Sequence, residues 1–378
     1  MIIGVPKEIK NNENRVGITP SFAASLVKSG HTVYIERTAG AESGFSDDEY
    51  RQAGAYLLDS AKEVYDTADM IIKVKEPIER EYELLKSEQT LFTYLHLAAD
   101  KSLTQILLDK RITGIAYETV QTDDGRLPLL IPMSEVAGRM SAQIGARLLE
   151  KPNGGKGILM GGTSGTLPAK VLIVGAGTVG LNAARMALGL GADVTITDID
   201  LTKLEKIDFL YSGRIKTLAS DYTNLSTMIA VSDLVISTVL IPGAKAPKII
   251  TEDMVKSMQE GSVIVDVAID QGGSVETADR AATHENPTYV KYGVVHYSVA
   301  NIPGAVGRTS TLALTNATRY YAELLANNGV IRAINTNSAL LRGVNTIYGK
   351  LTYKSVADAL DMDYTPLCDL VDISVCRK

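Results

Sequence analysis

The chain is short of cysteine, nearly balanced in charge and free of long apolar runs, and each shortage removes a class of protein. Two cysteines in 378 residues, Cys368 and Cys376, cannot staple a disulfide scaffold. Their spacing matches neither a zinc site nor a C-x-x-C redox pair, so both are expected as free thiols in a reducing cytoplasm, with a pair bridging the tail as the alternative. No apolar run approaches the roughly 18 residues a membrane helix needs, and no membrane partner is expected. A net charge of −6 offers no basic footprint for nucleic acid or an anionic lipid surface. The first residues, MIIGVPKEIK, read as a strand and not as a basic segment followed by an apolar one, which points to a cytoplasmic location. Repeats, low-complexity tracts and metal-ligand clusters are missing as well, and no serine or cysteine nucleophile stands beside a paired base.

What remains is an ordinary globular composition, 45% hydrophobic and 22% charged, in a chain long enough for two domains. Short apolar runs alternate with helical stretches: IIGVP, SFAASLVKSG, TVYIE, DMIIKVKEP, TLFTYLHLA, KSLTQILLDK and TGIAYETV. That alternation is the mark of a parallel, doubly wound sheet.

One stretch organises the rest. From Lys170 to Asp198 the text KVLIVGAGTVGLNAARMALGLGADVTITD reads as strand, glycine turn, helix and strand. Gly175, Gly177 and Gly180 have G-x-G-x-x-G spacing: the first for the tight turn, the second for close backbone approach to a pyrophosphate, the third for helix packing. The helix that follows would present unpaired N–H groups to the phosphates. Gly191 is placed to end that helix, and Asp198 closes the second strand, where a carboxylate accepts from a ribose 2′-hydroxyl and repels a 2′-phosphate. NAD is therefore the expected dinucleotide, not NADP.

The same α/β alternation continues through SVIVDVAID and VVHYSVAN, and then a long helical stretch ends at Gly329 with little strand text after it. The expected fold is α/β with two doubly wound parallel sheets. A Rossmann domain at 131–304 is inserted into a discontinuous substrate domain made of 1–130 and 305–378.

In open parallel sheets, ligands bind outside the carboxyl ends of the strands. That rule gathers four residues into one expected site: Arg15 in NNENRVGITP, Lys75 at the end of MIIKVK, His96 at the end of TLFTYLH and Asp270 at the end of VIVDVAID. Each has a rival or a duller reading. Lys73 shares the face of Lys75, Asp266 that of Asp270, and there are three other histidines, at 31, 284 and 296. Together the four suit oxidation next to a carboxylate: Arg15 and Lys75 as anion binders, His96 to move a proton near neutral pH, and Asp270 to orient the attacking water or ammonia.

The stretches GVPKEIKNNENRVGITP, IIKVKEP, TYLHLA, LLIPMSEVAGRMSAQ, VLIVGAGTVG, DVAIDQGG, HYSVANIPGAVGRTSTLALTNAT and GVNTIYGKLTYKSVADAL, with DYTPL, together resemble the NAD-dependent L-alanine dehydrogenase family. The resemblance runs to about Leu367 and implies reversible oxidative deamination of L-alanine to pyruvate and ammonium. It implies substrate contacts for Arg15, Lys75, Tyr94, Met133 and Asn301, with His96 and Asp270 as the catalytic pair. It also implies that Ser134, Lys203 and Ser220 join the three glycines and Asp198 around NAD, that no metal takes part, and that the assembly is a homohexamer. For Ser134 the residues alone offer another role, the N-cap of the helix SEVAGRMSAQIGARLLE, and core packing is the alternative for Tyr94 and Met133.

Two positions depart from the family pattern: Ser298 where cysteine is expected, and Gly307 where proline is expected, the latter loosening the entry to the long helix. Three other functions compete with this one: a nucleotide-binding component of a proton-translocating transhydrogenase, a non-catalytic NAD-binding protein, and a saccharopine dehydrogenase. The first keeps arginine, glutamine and aspartate ahead of the linker helix, where this chain has LPLLIPMSEVAG.

Overall fold

Apolar β-branched runs without polar alternation belong in sheets covered on both faces, and nearly every such run here is a strand with its side chains out of water. The computed structural model describes residues 1–239 and 246–372 and divides into two units, Met1–Met133 with Val306–Lys378, and Ser134–Ala305.

The first unit holds an eight-stranded sheet. Its spatial order is Lys350–Leu351, Val344–Ile347, Thr113–Ala116, Thr90–Thr93, Met70–Ile72, Ile2–Val5, Thr32–Glu36, Tyr56–Leu58. The six N-terminal strands are parallel and, counted along the chain, lie in the order 3-2-1-4-5-6. Progression across the sheet reverses between Ile2–Val5 and Met70–Ile72, which places a topological switch point there. One face is filled by Val64, Ile71, Leu91, Leu103 and Leu107.

The last two strands are antiparallel and form a hairpin that the sequence reading did not anticipate. Tyr348 and Gly349, both at positive φ (54° and 77°), make its two-residue turn. The long helix Gly307–Thr336 is broken at Gly329, whose φ of 71° and ψ of 163° are not helical. Gly307 proves tight, not loose: a Cβ there would stand 2.7 Å from the Asn14 carbonyl oxygen.

The second unit repeats the plan with seven strands: Thr288–Lys291, Val294–Tyr297, Val263–Asp266, Leu234–Ser237, Lys170–Val174, Asp193–Asp198, Ile215–Ala219. Its six parallel strands again run 3-2-1-4-5-6, the Rossmann order, with Thr288–Lys291 added antiparallel at one edge. The switch point lies between Lys170–Val174 and Leu234–Ser237.

Two local readings need correction. Ser134 is not an N-cap: it sits inside the helix Ile131–Leu148, which starts earlier because Pro132 in the first turn has the φ a helix needs and no N–H to satisfy. Cys368 is not a free thiol but is disulfide-bonded. Zinc and redox spacing rules do not bear on a plain cystine, which requires only close approach of two sulfurs. Cys376 lies outside the described residues.

Candidate active site

In the first unit, the segments leaving the two switch-point strands carry Arg15 and Lys75. Arg15 is buried, and a buried guanidinium needs a counter-charge. Glu13 supplies it, accepting from Nε at 2.6 Å and from Nη2, while Nη1 meets the Met133 sulfur at 2.9 Å. Two of the three guanidinium nitrogens thus bond a neighbour two residues away. Burial alone would raise the Glu13 carboxyl, but the hydrogen bonds and charge of Arg15 hold it below the usual carboxylate range.

Lys73 and Lys75 part company. Lys73 is fully buried, with Nζ 2.5 Å from Glu81 and 3.5 Å from Glu8. Lys75 is half-buried, and burial together with the charge of Arg15 lowers its pKa. Its neighbour Glu76 pairs with Lys10, and one of its carboxylate oxygens is buried without a hydrogen-bond partner. Burial would raise that carboxyl, but Lys10, His96 and Lys75 together hold it low. Arg15, Lys75, Glu76 and His96 thus share one electrostatic neighbourhood.

His96 is exposed, with its backbone in the left-handed region at φ 49°. Its ring lies parallel to that of Tyr94, centroids 5.8 Å apart. Tyr94 is buried and donates to the Leu129 carbonyl at 2.6 Å. The other histidines are occupied. His296 is buried between Thr277 and the Val294 carbonyl, and burial lowers its pKa. His31 bonds the amino terminus and Asn327, and His284 the Asn301 carbonyl. No such partner holds the His96 ring among the described residues.

Lys75, His96 and Asp270 do not end their strands. Those strands stop at Ile72, Thr93 and Asp266. Each time a carboxylate takes over the amides that ladder pairing would have used. Glu8 accepts from the N–H groups of Val74 (2.7 Å) and Lys75 (3.3 Å), and Glu118 from those of Leu95 (3.1 Å) and His96 (2.6 Å). In the second unit Asp266 accepts from Ala268, Ser274 and Val275. Asp266, the sequence rival of Asp270, is thus a buried structural carboxylate, whereas Asp270 is exposed and accepts from the Asn301 N–H at 3.4 Å.

The glycine turn is tight at two of its glycines and open at the third. Gly175 sits at φ 102°, and a Cβ on Gly180 would stand 1.8 Å from the Gly175 carbonyl oxygen. A Cβ on Gly177 would point into open space, so its bareness answers to no packing within the fold. The 12-residue helix Thr178–Gly189 begins directly after it, its first N–H groups uncapped by any side chain. Asp198 is buried and accepts from the N–H groups of Ala176 (2.7 Å) and Asp200 (2.9 Å), which leaves lone pairs for a further donor. Lys203 lies 3.5 Å from Asp198, and the Ser220 N–H donates to the Asp198 carbonyl. Ser298, buried, donates to the Arg280 carbonyl at 3.1 Å.

Sequence reasoning missed Glu8, Glu13, Glu76 and Glu118. Only Glu13 carried a signal, as an acid two residues from Arg15; the others are ordinary loop and turn acids until the chain is folded.

Residues 4–137 match the family model described as alanine dehydrogenase/PNT, N-terminal domain, and residues 141–354 the corresponding C-terminal domain. The chain belongs to the alanine dehydrogenase/PNT family. Within this family it is similar to an alanine dehydrogenase of Methanococcus maripaludis, 61% identical over 97% of this chain and 98% of the relative. A solved L-alanine dehydrogenase matches with a TM-score of 0.93 and 49% identity over 96% of this chain and 99% of its own. A transhydrogenase from Sinorhizobium meliloti is more distant, with a TM-score of 0.79 and 26% identity over 93% of this chain and 99% of its own. Among the described residues no helix is long and apolar enough to cross a membrane, and no cluster of three or more histidine, cysteine, aspartate or glutamate side chains could hold a metal ion.

Proposed function

We propose that this family member is an L-alanine dehydrogenase, catalysing the reversible reaction of L-alanine, NAD+ and water to pyruvate, ammonium, NADH and a proton. The observation that carries the reading is the 61% identity to an alanine dehydrogenase along 97% of the chain. The chemistry of the exposed side chains agrees with it.

In this reading the second unit holds NAD on Gly175, Gly177, Gly180 and the helix that follows, with Asp198, Lys203, Ser220 and Ser134 completing the contacts. The open space at Gly177 and the free lone pairs of Asp198 suit a pyrophosphate and a ribose diol. NAD supplies the hydride acceptor. Arg15 and Lys75 bind the substrate carboxylate, and Tyr94, Met133 and Asn301 bound the pocket. The C–H bond of L-alanine breaks with its electron pair, leaving an imine; water then adds, and the C–N bond breaks to release ammonia. His96 takes and returns the protons of these steps, its ring without a hydrogen-bond partner among the described residues, and Asp270 orients the attacking water or, in reverse, ammonia. The assembly is proposed as a homohexamer, to be tested by sedimentation.

NADH oxidation by the pure protein tests the reading. Turnover with pyruvate that requires ammonium is the expected result. Turnover without ammonium would indicate a hydroxy-acid enzyme, and tight NADH binding with no turnover a binding protein or a transhydrogenase component.

A further inference from the structure

A left-handed backbone costs a non-glycine residue about 1–3 kcal/mol, and such strain persists only where the surroundings enforce it. His96 bears that strain at φ 49° although its side chain is exposed and fills no core. Burial of the imidazole in a core therefore cannot be what enforces it.

A carboxylate on the neighbouring segment enforces it instead. Glu118 sits on the one-turn helix Tyr117–Thr119, directly after the neighbouring strand Thr113–Ala116. Its Oε1 accepts from the His96 N–H at 2.6 Å and from the Leu95 N–H at 3.1 Å, and its Oε2 lies 3.2 Å from the Leu95 N–H. Charge-assisted bonds of this kind are about twice as strong as neutral ones. The same turn acts a second time through Tyr117, whose buried ring meets the Tyr94 ring edge-on at 5.0 Å. Tyr94 in turn lies parallel to the His96 imidazole.

The turn itself is anchored from the far end of the chain. Thr119 Oγ1 donates to the Gly343 carbonyl, and Asn345 Nδ2 donates to Thr119 Oγ1 at 2.7 Å. Asn345 belongs to the strand Val344–Ile347, which pairs with Thr113–Ala116.

We propose that Glu118 is the positioning residue for His96: its carboxylate holds the Leu95–His96 backbone in the strained turn and so fixes where the imidazole stands. The inference rests on the proposed acid–base role of His96 only for its effect on rate; the positioning can be read without turnover. With four histidines in the chain, the ring Cε1–Hε1 signals separate by NMR, and His96→Gln assigns the one of interest. Its position reports the ring current of Tyr94.

In Glu118→Ala, the His96 signal should move while those of His31, His284 and His296 stay. kcat should fall about tenfold to a hundredfold, the population cost of releasing strain of this size, with the NADH dissociation constant unchanged. Glu118→Gln, whose amide oxygen can still accept from both N–H groups, should recover most of both. If the alanine variant does not fold, Glu118→Asp serves, because a carboxylate one methylene shorter cannot reach both amides. An unmoved His96 signal in a folded Ala or Asp variant overturns the proposal, whatever the rate does. A moved signal with full activity upholds the positioning and sinks the acid–base role given to His96.

Discussion

Lys73 and Lys75 are two residues apart, and replacing each by methionine should give opposite results. Lys73 is the only cation within ion-pair distance of both Glu8 and Glu81 among the described residues. Removing it leaves two buried carboxylates uncompensated, which costs about 3–5 kcal/mol, or roughly 6–20 °C in Tm for a unit of this size. The deficit should depend on pH. The Glu8 carboxyl is already raised by burial, against the opposing pull of Lys73, and without Lys73 it rises further. A carboxyl whose folded-state pKa lies above its unfolded value of 4.5 brings no penalty below that value; the penalty grows as pH climbs through 4.5 to the folded pKa. The gap between Lys73→Met and the parent protein should therefore be widest at neutral pH and narrow toward pH 5.

Among the described residues Lys75 has no ion-pair partner to orphan, and both burial and Arg15 work against its charge. Lys75→Met should leave Tm within the shift of about 1 kcal/mol typical of mild substitutions. If Lys75 bonds the substrate carboxylate, losing a charge-assisted hydrogen bond should raise the KM for pyruvate about tenfold to a hundredfold. Thermal melts at several pH values, with steady-state kinetics on each variant, decide the matter. A stable Lys73→Met, or a Lys75→Met that loses as much stability, would refute the assignment of the two lysines.

Gly180→Ala places a Cβ 1.8 Å from the Gly175 carbonyl oxygen and must open the turn; NADH affinity by fluorescence titration should fall at least about tenfold, and undiminished binding would disprove the turn's role in holding the dinucleotide. Asp198→Ala should raise the NADPH-to-NADH ratio of kcat/KM, chiefly by weakening NADH; an unchanged ratio would mean the carboxylate does not face the ribose. Gly307→Ala pushes on Asn14, next to Arg15, and should raise the KM for pyruvate severalfold while NADH affinity holds; an unchanged KM would show that the Arg15 loop absorbs the methyl without moving.

The order of strands and helices and the tight form of the glycine turn were legible because they depend on near neighbours. Apolar runs of strand length, helical periods between them, and three glycines at fixed offsets are statements about φ, ψ and burial that a dozen residues can make alone. The strand-exit rule pointed to Lys75 and His96 in one sheet and Asp270 in the other, but each stands three or four residues beyond its strand, on the segment that leaves it.

What the sequence could not display was which acids hold those exits in place. Glu8 reaches Val74 across 66 residues and Glu118 reaches His96 across 22, and both stand in text that resembles any solvated loop. The same holds for Val344–Ile347, a strand too short and too polar to announce itself until it pairs with Thr113–Ala116 on one side and Lys350–Leu351 on the other. Local sequence determines what the backbone can do; only tertiary contact decides where a charged side chain finds its partner, because a buried charge is tolerated only where the fold brings its counterpart within reach.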